Sequence, residues 1–181
     1  TTNRNKRSIV LDLKKSEDDL AAFKKLVATA DVVVQNFRPG VVDRMGIGEA
    51  DLRAINPKLI YVSISGFGES GPYSSKRVYD PVVQAVSGLA SIQADAQGVP
   101  HMMRTIIPDK ITAMTQAQAV TAALYQRTRT GVGQHGELSM LDSVIAFHWP
   151  EAMAGYTFGP ARAPAAALPP RRALIVAGAR R

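Results

Sequence analysis

Asp109 has the placement that covalent carboxylate chemistry needs: Pro108 stands before it, and the run from Lys110 to Arg127 contains neither Gly nor Pro. That pattern predicts a long helix with Asp109 at its start. Unpaired N–H groups at a helix start favour a negative charge there. Two uses are then open to the carboxylate. It can cap the helix, as Asp commonly does, or serve as a covalent nucleophile if it is oriented. A second candidate group is Asn36-Phe37-Arg38-Pro39-Gly40, which follows the apolar run Asp31–Gln35. Loops at the carboxyl ends of strands are where open α/β sheets bind ligands. Other chemistries are closed by composition. There is no cysteine, so thiolate nucleophiles, thiolate metal sites and disulfides are excluded. His101, His135 and His148 share no metal-ligand spacing and read as structural or surface residues.

The elements that must hold these residues are legible in outline. Ser8–Lys14 is short and rich in branched apolar residues, which predicts a strand. Ser16 reads as a helix N-cap, with acids filling the next turn and Leu20, Phe23, Leu26 and Val27 at helical spacing. A helix from about Glu17 to Ala30 follows. Asp31–Gln35 predicts a strand buried on both faces, and strand, helix, strand at this spacing favours a parallel sheet. Short helices are expected at Val41–Met45 and Glu49–Ile55, a strand at Leu59–Ile64, and a loop at Gly66–Pro72. Asp80–Ile92 is helical in pattern, with Pro81 suited to a first turn. After the long helix, Gly131 and Gly133 would serve a turn, Gln134–Met140 a strand, and Leu141–Phe147 a helix. The fold class is therefore α/β, with a Rossmann-like, mostly parallel sheet and flanking helices.

Charge and hydropathy narrow the partners. The formal charge is +7, but Arg162, Arg171, Arg172, Arg180 and Arg181 fall in an acid-free stretch, and removing them leaves +2 for residues 1–158. No basic stripe with interleaved aromatics is visible, so a nucleic-acid partner is not expected. No apolar run approaches the roughly 20 residues of a bilayer-spanning helix, and Thr1–Arg7 lacks the apolar stretch of a secretory signal. The expectation is a cytoplasmic protein without a membrane partner. Residues 159–181 form an Ala/Arg/Pro-rich tail whose composition suits disordered chain, or an out-of-frame reading of GC-rich coding sequence.

Four segments, in order, carry a resemblance. Val34-Gln-Asn-Phe-Arg-Pro-Gly-Val-Val-Asp-Arg-Met-Gly-Ile-Gly48 resembles the ENFRPG signature of the class III CoA-transferases, the CaiB/BaiF-type family. That family includes formyl-CoA and carnitine CoA-transferases and the α-methylacyl-CoA racemases. Leu59–Pro72 resembles its strand and glycine-rich loop, and Asp109 opening a long helix resembles its catalytic segment. Arg127-Thr-Arg-Thr-Gly-Val-Gly-Gln134 with Ser139-Met-Leu-Asp142 resembles its closing motif. The resemblance covers about residues 5–158, as part of the family's large domain. Family members are considerably longer, so it implies a chain truncated at both ends.

The resemblance implies that Asp109 is the catalytic carboxylate, passing through an acyl-aspartyl anhydride and an aspartyl-CoA thioester. Coenzyme A then enters as substrate rather than as a bound cofactor, with an acyl-CoA and a small carboxylic acid as partners. Leu11, Asp12 and Lys14 match a stretch beside the nucleotide end of CoA. Asn36, Phe37 and Arg38 match a CoA-binding loop, Arg44 another CoA contact, and Lys76 and Tyr79 a segment beside the pantetheine. Cationic side chains there would neutralise phosphates. The racemases carry a His-Asp pair where this chain has Tyr79-Asp80. Tyrosine ordinarily titrates near about 10 and is a poor base at neutral pH, so transferase is preferred over racemase. The resemblance also implies an interlocked homodimer that depends on a second domain, expected to be missing from a chain truncated in this way, which leaves a non-catalytic CoA-binding or inert remnant as a further alternative.

Overall fold

The computed structural model describes residues 3–153, and the tail expected at 159–181 lies outside them. The element order is α1 (Glu17–Val27), β1 (Val32–Gln35), α2 (Val41–Arg44), α3 (Glu49–Ile55) and β2 (Ile60–Ser65). It continues with α4 (Asp80–Val86), α5 (Leu89–Ile92), α6 (Ile107–Thr130), β3 (His135–Ser139), α7 (Met140–Phe147) and α8 (Trp149–Met153).

The three strands form one parallel sheet in the order β1-β2-β3, with Val34 opposite Val62 and Ser63 opposite Glu137. Because strand side chains alternate between faces, β2 serves two cores. Ile60 and Val62 pack under Val120, Ala123 and Leu124 of α6. Tyr61 faces the other way, into Val27, Val42, Leu52 and Leu59 beneath α1–α3. Its hydroxyl donates to Ile47 O at 3.0 Å. Burial, reinforced by Asp43 and Glu69, pushes that phenol up to about 12. A third core joins Val83, Leu89, Ile111 and Val144 from α4, α5, α6 and α7. Fully burying a side chain such as Leu52 contributes about 1.5–3 kcal/mol, so each core is a substantial tie between sheet and helices.

The expected cap forms: Ser16 accepts the Asp19 N–H at 3.1 Å at the start of α1. The structure adds a second at α7, where Ser139 Oγ accepts the Asp142 N–H, while other local expectations change. Three are corrected. No strand forms at Ser8–Lys14: Ile9 and Val10 are 64% and 93% exposed, and no neighbouring strand among the described residues offers them a ladder. Asp12 instead closes a turn there, its carboxylate accepting the N–H groups of Lys14 and Lys15. The helix expected over Asp80–Ile92 is two helices, broken at Gly88, whose φ of +83° is left-handed. Gly133 is not a turn glycine by conformation. It lies against the Lys58–Leu59 backbone, where a Cβ would collide, and its N–H donates to Pro57 O at 2.9 Å.

The closing motif thus locks α6 to the sheet. Gly131 ends the helix in a left-handed conformation. Arg127 reaches back to Asp31 Oδ1 at 2.7 Å and to the carbonyls of Asp31 and Lys58. No helix among the described residues is long and apolar enough to cross a membrane.

Candidate active site

All three strands end at one side of the sheet, and the segments leaving them line a cavity of about 470 Å³. Beyond β1 come Asn36, Phe37 and Arg38, beyond β2 come Lys76, Arg77 and Tyr79, and beyond β3 comes Met140. The first turns of α4 and α6 complete the wall with Asp80 and Asp109. This is the strand-end location where open α/β sheets bind ligands. Two backbone features meet at the exit of β2. Gly66, at the exit of β2, has Val78 against its Cα, leaving no room for a Cβ. Leu141 N–H donates to Gly66 O at 3.1 Å, tying α7 to the same exit.

Asp109 stands third in α6 rather than first, because Ile107 and Pro108 already adopt helical conformation. Proline suits a first turn, since its missing N–H has no helical partner there. The N-cap is Ile106, which has no side chain able to accept a hydrogen bond. The vacancy is filled from α4, where Asp80 Oδ2 accepts the Asp109 N–H at 3.2 Å. Asp80 is only 7% exposed, and its other oxygen accepts from Gln84 Nε2 at 2.7 Å. The Asp109 side chain opens to the cavity. Partial burial, and then the nearby Asp80 charge, raise its carboxyl above the usual aspartate value.

The remaining expected residues divide between two places. Phe37 is 45% exposed, so it is not a core residue. Its N–H donates to Gln35 Oε1 at 2.8 Å, fixing the turn into the Asn36–Arg38 loop. Gln35 in turn donates to Ser63 Oγ at 3.0 Å. Tyr79 is 69% exposed, and the Lys76 ammonium lies 3.9 Å above the Tyr73 ring, a cation–π contact. Lys14 and Arg44 line a second cavity of about 460 Å³ with Leu13 and Val41. Leu11 and Asp12 line neither cavity, and Asp12 is engaged in the turn before α1.

Sequence reading missed Arg77, Gln84 and the cooperation of Asp80 with Asp109. A charged residue in a loop gives no sign of facing a cavity, and a buried glutamine gives none at all. The histidines also find partners that spacing did not show. His101 pairs with Asp95, His148 Nε2 lies 2.9 Å from Ser87 O, and His135 Nε2 lies 2.9 Å from Ser63 Oγ. Glu69, His135 and Glu137 have donor atoms within 4.8 Å of one another, close enough to share a metal ion. Glu69 comes from a different segment, so local spacing could not reveal the group.

Comparison with known proteins agrees with this architecture. The model of CoA-transferase family III matches residues 1–173, and the chain belongs to that family. It is 44% identical over 146 residues to an acetyl-CoA:oxalate CoA-transferase of Acetobacter aceti, covering 80% of this chain and 37% of the relative. It is 44% identical over 141 residues to a succinate–glutarate CoA-transferase of Agrobacterium fabrum, covering 78% and 35%. A crystal structure of a CaiB/BaiF family protein from Brucella suis superposes with a TM-score of 0.82 at 36% identity, over 88% of this chain and 42% of that one. The chain therefore spans well under half the length of these relatives.

Proposed function

We propose that this chain carries the acyl-transfer centre of a CoA-transferase, with Asp109 as the covalent carboxylate. One observation carries the reading: Asp109 shares a single cavity at the strand ends with Asn36, Phe37, Arg38, Lys76 and Tyr79. A carboxylate oxygen of Asp109 attacks the thioester carbonyl of the donor. The C–S bond breaks, and CoA leaves as a thiolate whose charge Arg38, Lys76 and Arg77 oppose. The thiolate then attacks the aspartyl carbonyl of the mixed anhydride, expels the donor carboxylate and leaves an aspartyl-CoA thioester. An acceptor carboxylate reverses these steps, departs as the new acyl-CoA and restores Asp109.

The second cavity supports the same reading. Chain from Asn36 to Arg44 runs from the first cavity to the second. CoA laid along it would bring its phosphates to Lys14 and Arg44, beside Leu11 and Asp12, and its thioester to Asp109. Relatives named for oxalate, succinate and glutarate suggest a small dicarboxylic acid as acceptor, in keeping with the three cationic side chains on the cavity wall.

Intact-mass measurement after mixing the chain with acetyl-, formyl- or succinyl-CoA tests the assignment. Wild type should gain an acyl or CoA mass that hydroxylamine removes, and Asp109→Ala should gain none. A folded wild type that takes no mass from any of these donors, or an Asp109→Ala variant that takes the same mass, would overturn it.

A further inference from the structure

Gln84 is 2% exposed and lies outside the cavity lining, yet its amide is one of the most engaged polar groups of this region. Its Oε1 accepts the Met103 N–H at 2.8 Å. Its Nε2 donates to Asp80 Oδ1 at 2.7 Å and approaches the carbonyls of Met103 and Thr105 at 3.4 and 3.3 Å. A buried amide gives up its hydration only when such partners replace it. Here they belong to the segment that leads into α6, so Gln84 joins α4, residues 103–105 and the Asp80 carboxylate in one network. The free oxygen of Asp80 takes the Asp109 N–H, the bond that a capping side chain at Ile106 would otherwise make.

We propose that Gln84 and Asp80 are a positioning pair for Asp109. Gln84 aims the buried Asp80 carboxylate at the Asp109 N–H, which fixes the first turn of α6 and holds a second negative charge beside the nucleophile. The proposal rests on the reading of Asp109 as nucleophile and adds a purpose for the neighbouring acid. Two like charges held close make Asp109 more basic, hence a stronger nucleophile. Acylation then turns the Asp109 anion into a neutral anhydride or thioester, which relieves the repulsion and favours the covalent intermediate over the free carboxylate. The other charged or titratable groups on the cavity wall are Arg38 after β1 and Lys76, Arg77 and Tyr79 after β2. Next to Asp109 on α6, Lys110 turns its ammonium to Thr105 Oγ1 at 2.7 Å. The α7 contribution to the wall is the uncharged Met140.

The test is carbon-13 NMR titration of the Asp109 carboxyl in aspartate-labelled full chain, assigned by its loss in Asp109→Asn. In Asp80→Asn the midpoint of Asp109 should move to lower pH. An unchanged midpoint in folded Asp80→Asn would overturn the pairing, since a purely structural role leaves the Asp109 titration where it was. Asparagine turns its amide donor toward either Gln84 Nε2 or the Asp109 N–H, a donor–donor conflict that can prevent folding. Hydrogen exchange of wild type decides in that case. The Asp109 amide should exchange more than about tenfold slower than unstructured chain, and exchange at the unstructured rate would overturn the proposal. Neither readout requires turnover, so failure of the mass-adduct experiment would remove the nucleophile assignment and leave this coupling separately measurable.

Discussion

Asp109 shows how position alone changes what a carboxylate can do. Partial burial comes first and the Asp80 charge second among the causes that raise its carboxyl above the usual 3.8. In the proposed mechanism the ionised form is the nucleophile, so adduct formation should be complete above the raised value and lost as pH falls through it. The acid limb of adduct formation, followed by mass spectrometry against pH, should therefore lie above that of an ordinary aspartate. A limb at or below 3.8 would show that burial and the Asp80 charge do not raise the reacting carboxyl. The same shift carries the opposite sign for stability. Folded protein holds the Asp109 proton more tightly than unfolded chain does. This contribution is fully present below the unfolded value and is lost as pH rises through the folded one.

Among the elements, the end of α6 and its connection to β3 are tied to the sheet through Arg127 and Gly133. Arg127, Gly131 and Gly133 appear in sequence as parts of one short motif, yet they do three different jobs. Arg127 ties α6 to the starts of β1 and β2, and Gly131 stops the helix. Gly133 lets β3 begin directly against the Lys58–Leu59 backbone. Gly133→Ala should cost about 1–3 kcal/mol, because backbone cannot yield as a flexible side chain would. Urea unfolding should show the loss as a lower midpoint, and an unchanged midpoint would mean that the β2–β3 approach is looser than described. The motif was legible in sequence, but its division of labour was not, since Lys58 and Leu59 lie far from Gly133 along the chain.

Across the whole molecule, two cavities and the Asn36–Arg44 segment between them form the proposed path for CoA. Arg44→Ala removes a cation from the cavity distant from Asp109 and should weaken CoA binding by about 1.5–3 kcal/mol, the worth of a hydrogen bond to a charged group. Titration calorimetry with CoA measures this directly, and an unaltered affinity would detach the second cavity from the ligand path.

The sequence by itself determined the α/β class, most of the helix and strand positions, Asp109 near the start of a long helix, and the family. These follow from local periodicity, capping residues and short motifs, which need no knowledge of what lies across the fold. Tertiary structure decided the rest. Residues 8–14 carry a strand's composition but find no pairing strand among the described residues, because a ladder requires a neighbour that composition cannot supply. The cap of α6 comes from Asp80, and the support for Asp80 comes from a buried glutamine. Both are hydrogen bonds between segments distant in the chain, and only packing brings such groups within reach.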